Sequence, residues 1–218
     1  MSRNFSYSDN DKEAIYRVMA ERRDMRHFNG EPMDEALIHK LLHAAHTAPS
    51  VGLMQPWRFI RIKQSATREA LHALVDKERA LTADALGEQK QDFLKLKVEG
   101  ILQCSALIVA ALPDKRESYV FGRRTLPEMD LASLSCAIQN MWLAARAEGI
   151  GMGWVSLFDP DALKALLKMP PDSHPVAILC IGPVDEFYEK PMLVLEDWKQ
   201  ETPLDTFLFE EEWGAQAK

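Results

Sequence analysis

The sequence predicts a single domain built from both helices and strands. Several segments show the apolar spacing of helices, of which 129–148 is the clearest, and the short apolar runs 106–112 and 176–181 are typical of buried strands. A chain of 218 residues can bury one full hydrophobic core. Because no linker and no internal repeat divides the chain, we expect one domain over residues 1–218.

The first half of the chain predicts two helices, one strand and a charged helical stretch. The segments 8–22 and 34–46 have helix starts and an apolar face. Residues 57–62 alternate like a strand. Residues 65–100 favour helix and are heavily charged, and the sequence leaves open whether they form a mobile cover over the site. The residues of this stretch that we expect to face inward are Leu94, Leu96 and Val98.

The second half is predicted to alternate strands and helices. In order, the elements are a strand over 106–112, a helix over 129–148, a strand over 153–157, a helix over 159–168 and a strand over 176–181. Gly149 closes the longest helix as a left-handed cap, and Ser156 is expected on the strand that follows. The extended tail from Asp185 is rich in aromatic residues, which indicates that it packs onto something, such as a second subunit.

Composition and charge exclude several classes of protein. The net charge of −7 argues against a general nucleic-acid binder. The N-terminal segment lacks the apolar core of a signal peptide, and no apolar run has the length of a membrane span, so we expect a cytoplasmic protein. Cys104, Cys136 and Cys180 are far apart in apolar segments, and we expect buried free thiols.

The segment 22–26 places three arginines around one carboxylate. Arginine presents a planar fork of donors that suits a phosphate. At helical spacing Arg22 and Arg26 lie one turn apart and face one target, while Arg23 points elsewhere. The alternative is a solvated helix end, where cations interact favourably with the helix dipole.

A second segment, 48–57, is rich in turns and in small, amide and aromatic side chains. Such residues let a planar ligand approach closely, so the two segments together indicate a site for a phosphorylated aromatic cofactor. Asp24 is the unexpected residue in that site. It is either a surface partner for Arg23 or Arg26 or, beside a bound ring, a carboxylate that acts as an acid or base. The residues alone leave both roles open.

Three other motifs give weaker indications of function. The glycines in 149–153 follow a helix and open a strand, the reverse of a dinucleotide-binding turn, so we interpret them as a cap and a close-packing device. Ser156 lacks a nucleophile elbow, which favours a hydrogen-bonding role over acyl transfer. His39, His43 and His46 share helical spacing, but no HExxH motif or carboxylate accompanies them, and we expect no metal site.

Three segments in combination resemble the flavin-binding segments of the nitroreductase superfamily, namely 22–28, 48–57 and 149–156. Most members have serine at the position of Asp24. The aspartate, together with Ser156 and Ile-Gly-Pro-Val at 181–184, resembles the 5,6-dimethylbenzimidazole synthase (BluB) branch. The resemblance runs from about Tyr16 to Trp198.

This resemblance implies an α+β fold with a central, mostly antiparallel sheet flanked by helices. It also implies an obligate homodimer with FMN in clefts between the subunits. Asp24 and Ser156 would be the catalytic residues, and Arg22 and Arg26 would bind the phosphate. The residues that would contact FMN are Arg22, Arg23, Asp24, Met25, Arg26, Ser50, Gln55, Pro56, Gly153 and Ser156.

The implied activity consumes reduced FMN and O2 and forms 5,6-dimethylbenzimidazole, the lower ligand of cobalamin, with release of erythrose 4-phosphate. NAD(P)H would act only through a separate flavin reductase. Such a reaction needs a closed site and groups that move protons. Two alternatives remain open: an NAD(P)H-dependent nitroreductase with FMN as a true cofactor, and a flavin-binding protein without turnover.

Overall fold

The computed structural model describes residues 5–215 of the chain. Residues 1–4, which belong to the segment expected to carry no signal peptide, lie outside this range. The strands are β1 (Arg58–Ile62), β2 (Ala106–Leu112), β3 (Gly151–Val155) and β4 (His174–Gly182). The helices are α1 (Asp9–Glu21), α2 (Glu35–His46), α3 (Ser65–Ala85), α4 (Lys90–Lys95), α5 (Met129–Ala147), α6 (Pro160–Leu167) and α7 (Met192–Leu195).

The four strands form one antiparallel sheet in the order β1-β2-β4-β3. Helices cover both faces of the sheet. On one face α2 and α5 pack against alternate strand residues, including Ile108 and Leu179. On the other face α3 and α6 pack against the residues between them, including Leu107 and Ile178. The predicted α+β class, with an antiparallel sheet flanked by helices, is confirmed.

The helix α5 is the centre of the first core. Its inward residues Leu134, Ile138 and Met141 are fully buried, as the helical spacing predicts. Gly149 follows α5 with a φ of +72°, which confirms the predicted left-handed cap. The chain then turns directly into β3. After this turn, Trp154 of β3 lies beside Trp142 of α5, with ring centroids 6.5 Å apart.

The helix α1 begins and ends almost where the sequence predicts. The Ser8 hydroxyl accepts a hydrogen bond from the Asp11 amide at 3.3 Å and caps the helix. However, α1 buries no residue, and its apolar Ile15 and Met19 are 46% and 50% exposed. In a single copy of the chain, the apolar face of α1 is therefore largely uncovered.

The charged stretch 65–100 is divided between two roles. Leu71 and Val75 of α3 are fully buried in the second core, so this part is a structural layer and not a mobile cover. In and after α4, Phe93 and Leu96 are buried. The inward orientation predicted for Leu94 is wrong, since the short turn of α4 directs Phe93 inward and leaves Leu94 37% exposed.

The aromatic tail packs onto the body in its first part only. Phe187 and Tyr188 pack against the second core. Trp198 lies beside Phe93, with ring centroids 6.1 Å apart. Phe207 and Trp213 are 65% and 93% exposed. The tail is also less extended than expected, because it includes the short helix α7.

Cys104 and Cys180 are buried free thiols, as predicted. The prediction is wrong for Cys136, which is exposed because it lies on the side of α5 that faces away from the sheet. Among the described residues, no helix is both long enough and apolar enough to cross a membrane.

Replacement of Leu71 tests whether α3 belongs to the core. We expect Leu71→Ala to lower the free energy of unfolding by about 2–5 kcal/mol, because it leaves a cavity under α3. Urea unfolding at equilibrium measures this change. The matched control is Leu81→Ala on the same helix, where the side chain is 53% exposed and the loss should stay within about 0.5 kcal/mol. Equal small losses for both variants would contradict a structural role for α3.

Candidate functional site

A cavity of about 680 Å³ opens beside the end of β3. The end of α1 and the segment after it form one side. The corner between α3 and α4 and the tail around α7 form the other. The first side carries the charged side chains of Arg22, Arg23, Asp24 and Arg26. The second side carries Phe93, Leu96 and Trp198. The cavity therefore has one ionic wall and one apolar wall.

The ionic wall is an extended segment and not a continuation of α1. The helix ends at Glu21, and Arg22 already has an extended conformation, so the predicted helical spacing of Arg22 and Arg26 is wrong. The Met25 amide donates to the Met152 carbonyl of β3 at 3.0 Å. Because side chains alternate along an extended chain, Arg22, Asp24 and Arg26 reach one cavity. Arg23 lines it as well, so the prediction that Arg23 points elsewhere is wrong.

The side chain of Met25 points the other way and does not line the cavity. It is 1% exposed and packs in the second core. Gly153 does not line the cavity either. A Cβ at Gly153 would overlap the Met25 carbonyl oxygen, so this glycine lets the segment lie against β3. The structure therefore gives both residues a packing role.

Asp24 lies at the junction of the segment and the strand. Its Oδ1 accepts a hydrogen bond from the Trp154 amide at 3.0 Å, and its Oδ2 lies 2.5 Å from Nη2 of Arg26. Burial raises the pKa of Asp24, against the opposing effect of Arg26, Arg22 and the Trp154 amide. The side chain keeps 41% of its surface open, and it lines the cavity. Such a carboxyl group can hold a proton and exchange it with a ligand.

The three arginines have different surroundings. Arg26 is 9% exposed and donates through Nη2 to the Trp154 carbonyl at 2.8 Å as well as to Asp24. The guanidinium of Arg23 donates to the carbonyl oxygens of Ala20, Arg22 and Glu189. Arg22 lies over the ring of Trp142 with its Cζ 4.6 Å from the centroid. Because stacking uses the face of the guanidinium, its edge is left for a ligand in the cavity.

Ser156 lines the same cavity as Asp24. The prediction that it lies on the strand is wrong, because β3 ends at Val155 and Ser156 is an exposed residue of the loop that follows. The fold therefore brings together two polar groups that are 132 positions apart in the sequence. The hydroxyl and the carboxyl group are both available to one ligand.

The second predicted segment does not reach this cavity. None of the residues 48–57 lines it, and Pro56 is buried. The Gln55 amide donates to the Ser50 hydroxyl at 3.0 Å, and the Val51 amide donates to the Ser133 hydroxyl at 3.0 Å. Ser133 and Trp142, which lies beneath Arg22, are nine residues apart on α5, about 13 Å along the helix axis. Within one chain, Ser50, Gln55 and Pro56 are therefore separate from the arginine segment.

The apolar wall was not predicted as part of the site. Phe93, Leu96 and Trp198 come from the charged stretch and the tail, two regions with no recognisable ligand motif. The signal that could have indicated them is the high content of large apolar residues in segments of otherwise polar character. Only the packing of Trp198 against Phe93 shows that they meet.

The histidines of α2 lie apart from the cavity. His39, His43 and His46 are exposed, and His46 accepts a hydrogen bond at Nδ1 from the Trp57 indole at 3.1 Å. Within residues 5–215, the structure contains no group of three His, Cys, Asp or Glu side chains that could hold a metal ion.

Comparison with known proteins identifies one family profile and similar bacterial proteins that agree with each other. The sequence profile described as the nitroreductase family matches residues 19–183. The chain is 38% identical to a 5,6-dimethylbenzimidazole synthase of Rhodobacter capsulatus over 202 residues, 92% of this chain and 98% of that protein. It is also 38% identical to a 5,6-dimethylbenzimidazole synthase of Rhodospirillum rubrum over 185 residues, 84% and 87% of the two chains.

Solved structures agree on the fold. The NADPH:FMN oxidoreductase of Vibrio harveyi superposes with a TM-score of 0.69 at 15% identity, over 94% of this chain and 80% of that chain. At that identity the likeness concerns the fold alone. The sequence profile and the two bacterial relatives cover most of the chain. It therefore belongs to the nitroreductase family and, within it, to the 5,6-dimethylbenzimidazole synthase branch.

Proposed function

We propose that the protein is a 5,6-dimethylbenzimidazole synthase that consumes reduced FMN and O2 and releases erythrose 4-phosphate. The observation that carries the proposal is the environment of Asp24. Its carboxyl group has a raised pKa, lies between Arg26 and Trp154 of β3, and lines the cavity. The extensive similarity to two proteins of that name supports it. We further propose that residues 1–218 act as one flavin-binding domain.

The residues of the cavity fit a flavin mononucleotide. Its volume of about 680 Å³ lies in the usual range for sites of cofactor size. The free edge of Arg22 suits the phosphate, and Phe93, Leu96 and Trp198 offer an apolar surface for the ring. When bound, reduced FMN would supply the electrons for O2 and the carbon atoms of the product. The protein would bind, orient and protonate.

Asp24 would move protons during the reaction. Protonated, it can donate from the cavity wall; ionised, its charge is stabilised by the Trp154 amide and by Arg26. The raised pKa keeps the protonated form populated at a higher pH than in an exposed aspartate. The Ser156 hydroxyl on the same cavity would pass a proton to or from a polar atom of the ligand through a hydrogen bond.

The apolar wall would exclude water from the reacting groups. Phe93 and Trp198 pack against each other where they line the cavity. Exclusion of water protects reactive intermediates from side reactions.

Electrons would come from a separate flavin reductase that uses NAD(P)H. A nitroreductase would instead take hydride directly from NAD(P)H, and a flavin carrier would bind FMN without either reaction.

We also propose that the protein is a homodimer whose flavin site needs both chains. The segments 22–28 and 48–57, which are both predicted to contact flavin, lie apart in one chain. Apolar surface is exposed next to each of them, at Ile15 and Met19 beside the cavity and at Leu53 and Phe121 beside the second segment. A second copy that covers both surfaces would bring the segment 48–57 of one chain to the cavity of the other.

The first test concerns the phosphate. We expect the wild type to bind FMN far more tightly than riboflavin, and Arg22→Ala to lose most of this difference. One charge-assisted contact is worth about 1.5–3 kcal/mol. Titration of both flavins by fluorescence quenching gives the affinities. Arg17→Ala, an exposed arginine on α1 that does not line the cavity, is the charge-matched control. Equal affinity of the wild type for both flavins would reject a phosphate site.

The second test concerns Asp24 and Ser156. Asp24→Asn and Ser156→Ala should keep the affinity for FMN within a few-fold and lower benzimidazole formation by ~10²–10⁴, because a positioned acid or base is worth about that much in rate. Product is measured by mass spectrometry after incubation with FMN, a flavin reductase, NADH and air. Oxidation of NADH by the purified protein alone, unchanged in Asp24→Asn, would favour the nitroreductase alternative.

Thermal unfolding separates this catalytic loss from damage to the fold. A folded pKa above the unfolded value means that the stability contributed by Asp24 is complete below the unfolded pKa. It is lost as the pH rises through the folded pKa. Asp24→Asn removes the charge, so at pH 7 this variant should be at least as stable as the wild type, and its advantage should shrink towards pH 4. A large loss of stability at pH 7 would point to a structural role instead.

The third test asks whether the site is shared between chains. Homodimers of Asp24→Asn and of Gln55→Ala should each be impaired, but a heterodimer of the two would contain one intact site. Co-expressed and doubly tagged heterodimers should recover about half of the wild-type activity. No recovery above the homodimers would show that both residues act within one chain. A sedimentation experiment should show about twice the chain mass of 24.7 kDa.

A further inference from the structure

A buried ionic cluster at the start of α5 has no role in the proposed chemistry. Asp130 is 1% exposed, and its Oδ2 accepts from Nη1 of Arg116 at 2.8 Å and from Nη2 of Arg123 at 2.9 Å. Its Oδ1 accepts from the Leu131 amide at 2.6 Å. The side chain of Arg123 is itself only 3% exposed. A buried carboxylate with two arginine partners is costly to disrupt, because a charge is then left unpaired.

The cluster fixes a loop that has little regular structure. Both arginines belong to the loop 113–127, near its beginning and near its end. Arg123 also donates through Nε to the Pro127 carbonyl at 3.0 Å and through Nη1 to the carbonyls of Tyr119 and Arg116. The single carboxylate of Asp130 therefore closes this loop onto the first turn of α5.

The fixed loop packs directly on the second flavin-binding segment. Gly122 has a φ of +75°, and a Cβ there would lie 2.5 Å from Cγ2 of Val51. A Cβ on Gly52 would lie 3.1 Å from Cδ1 of Phe121. The two chain segments are thus in close contact at both glycines: an added carbon atom would overlap Val51 at Gly122 and would be crowded by Phe121 at Gly52. A shift of the loop must displace the residues around Gly52.

The same turn of α5 also holds the second segment from below. Ser133 lies three residues after Asp130, on the same face of the helix. Its hydroxyl accepts from the Val51 amide at 3.0 Å and donates to the Met129 carbonyl at 2.6 Å. The segment around Val51 is therefore clamped between Ser133 and the loop that Asp130 holds.

We infer that Asp130 is a positioning residue for flavin binding, which acts through Arg116, Arg123 and the loop 113–127 on the segment 50–56. The inference rests on the proposed function, since it assumes that this segment contacts FMN. A preformed binding surface loses less conformational entropy when the ligand binds. Asp130 should therefore control the affinity for FMN, while the proton transfer stays with Asp24 in the other half of the site.

Two variants perturb the clamp independently. Asp130→Asn keeps the size of the side chain but removes the charge that pairs with the arginines. Gly122→Ala leaves the cluster intact and adds a carbon atom that overlaps Cγ2 of Val51, so the loop or the segment around Val51 must shift. Both should raise the KM for reduced FMN by about ten-fold or more, with kcat within about three-fold of the wild type. The Kd for FMN should rise in parallel. Asp24→Asn should show the opposite pattern, a lost kcat with little change in affinity.

The matched control is Gly149→Ala at the other end of α5. Gly149 has a nearly equal φ of +72°, but a Cβ there meets no atom within 4 Å. This control has the same backbone strain without displacing a neighbour, so its KM should stay near the wild-type value. Thermal unfolding of all three variants shows how far a loss of stability accounts for the result.

The outcomes are distinguishable. If Gly122→Ala behaves like Gly149→Ala, or if either clamp variant loses kcat at an unchanged KM, the positioning role of Asp130 is overturned. If Asp130→Asn fails to fold, Arg116→Gln, which removes one of the two arginine partners of Asp130, takes its place and should show the same rise in KM. If the wild type itself neither binds FMN nor forms product, the proposed function fails, and this inference fails with it.

Discussion

The hydrogen bonds that join the segment 22–28 to β3 hold the candidate site together. The Met25 amide bonds to the Met152 carbonyl, and the Asp24 carboxylate and the Arg26 guanidinium bond to the amide and carbonyl of Trp154. The approach is close because residue 153 has no side chain. As a result, the position of Asp24 depends on the sheet and not on α1, whose own packing buries no residue.

Burial and the neighbouring groups act in opposite directions on the ionisation of Asp24. Burial disfavours its charge, whereas Arg26, Arg22 and a backbone amide favour it. Opposed influences of this kind, in a cavity, are typical of groups that exchange protons in catalysis. A surface ion pair would serve only a weak structural purpose. The environment of Asp24 therefore favours a role in proton transfer over a role as a surface ion-pair partner.

The long helix α5 links the two halves of the proposed site. Near its C-terminal end, Trp142 stacks under Arg22 and donates its indole N–H to the Arg23 carbonyl at 3.1 Å. At its N-terminal end, Ser133 accepts a hydrogen bond from the segment 48–57, and Asp130 binds the loop 113–127 that packs on this segment. A rigid helix keeps these halves apart within one chain, and this is the physical reason to propose that a second copy completes the site.

The sequence by itself determined the positions of most helices and strands, since apolar periodicity and caps such as Ser8 and Gly149 are local signals. Through a family resemblance it also predicted that Asp24 and Ser156 belong to one site, and in the structure both line the same cavity. Only the tertiary structure decided that residues 22–28 are extended, because hydrogen bonds to a distant strand override the helical continuation that local spacing favours. Tertiary packing likewise decided the apolar wall at Phe93 and Trp198, since contacts between segments far apart in the chain leave no local pattern.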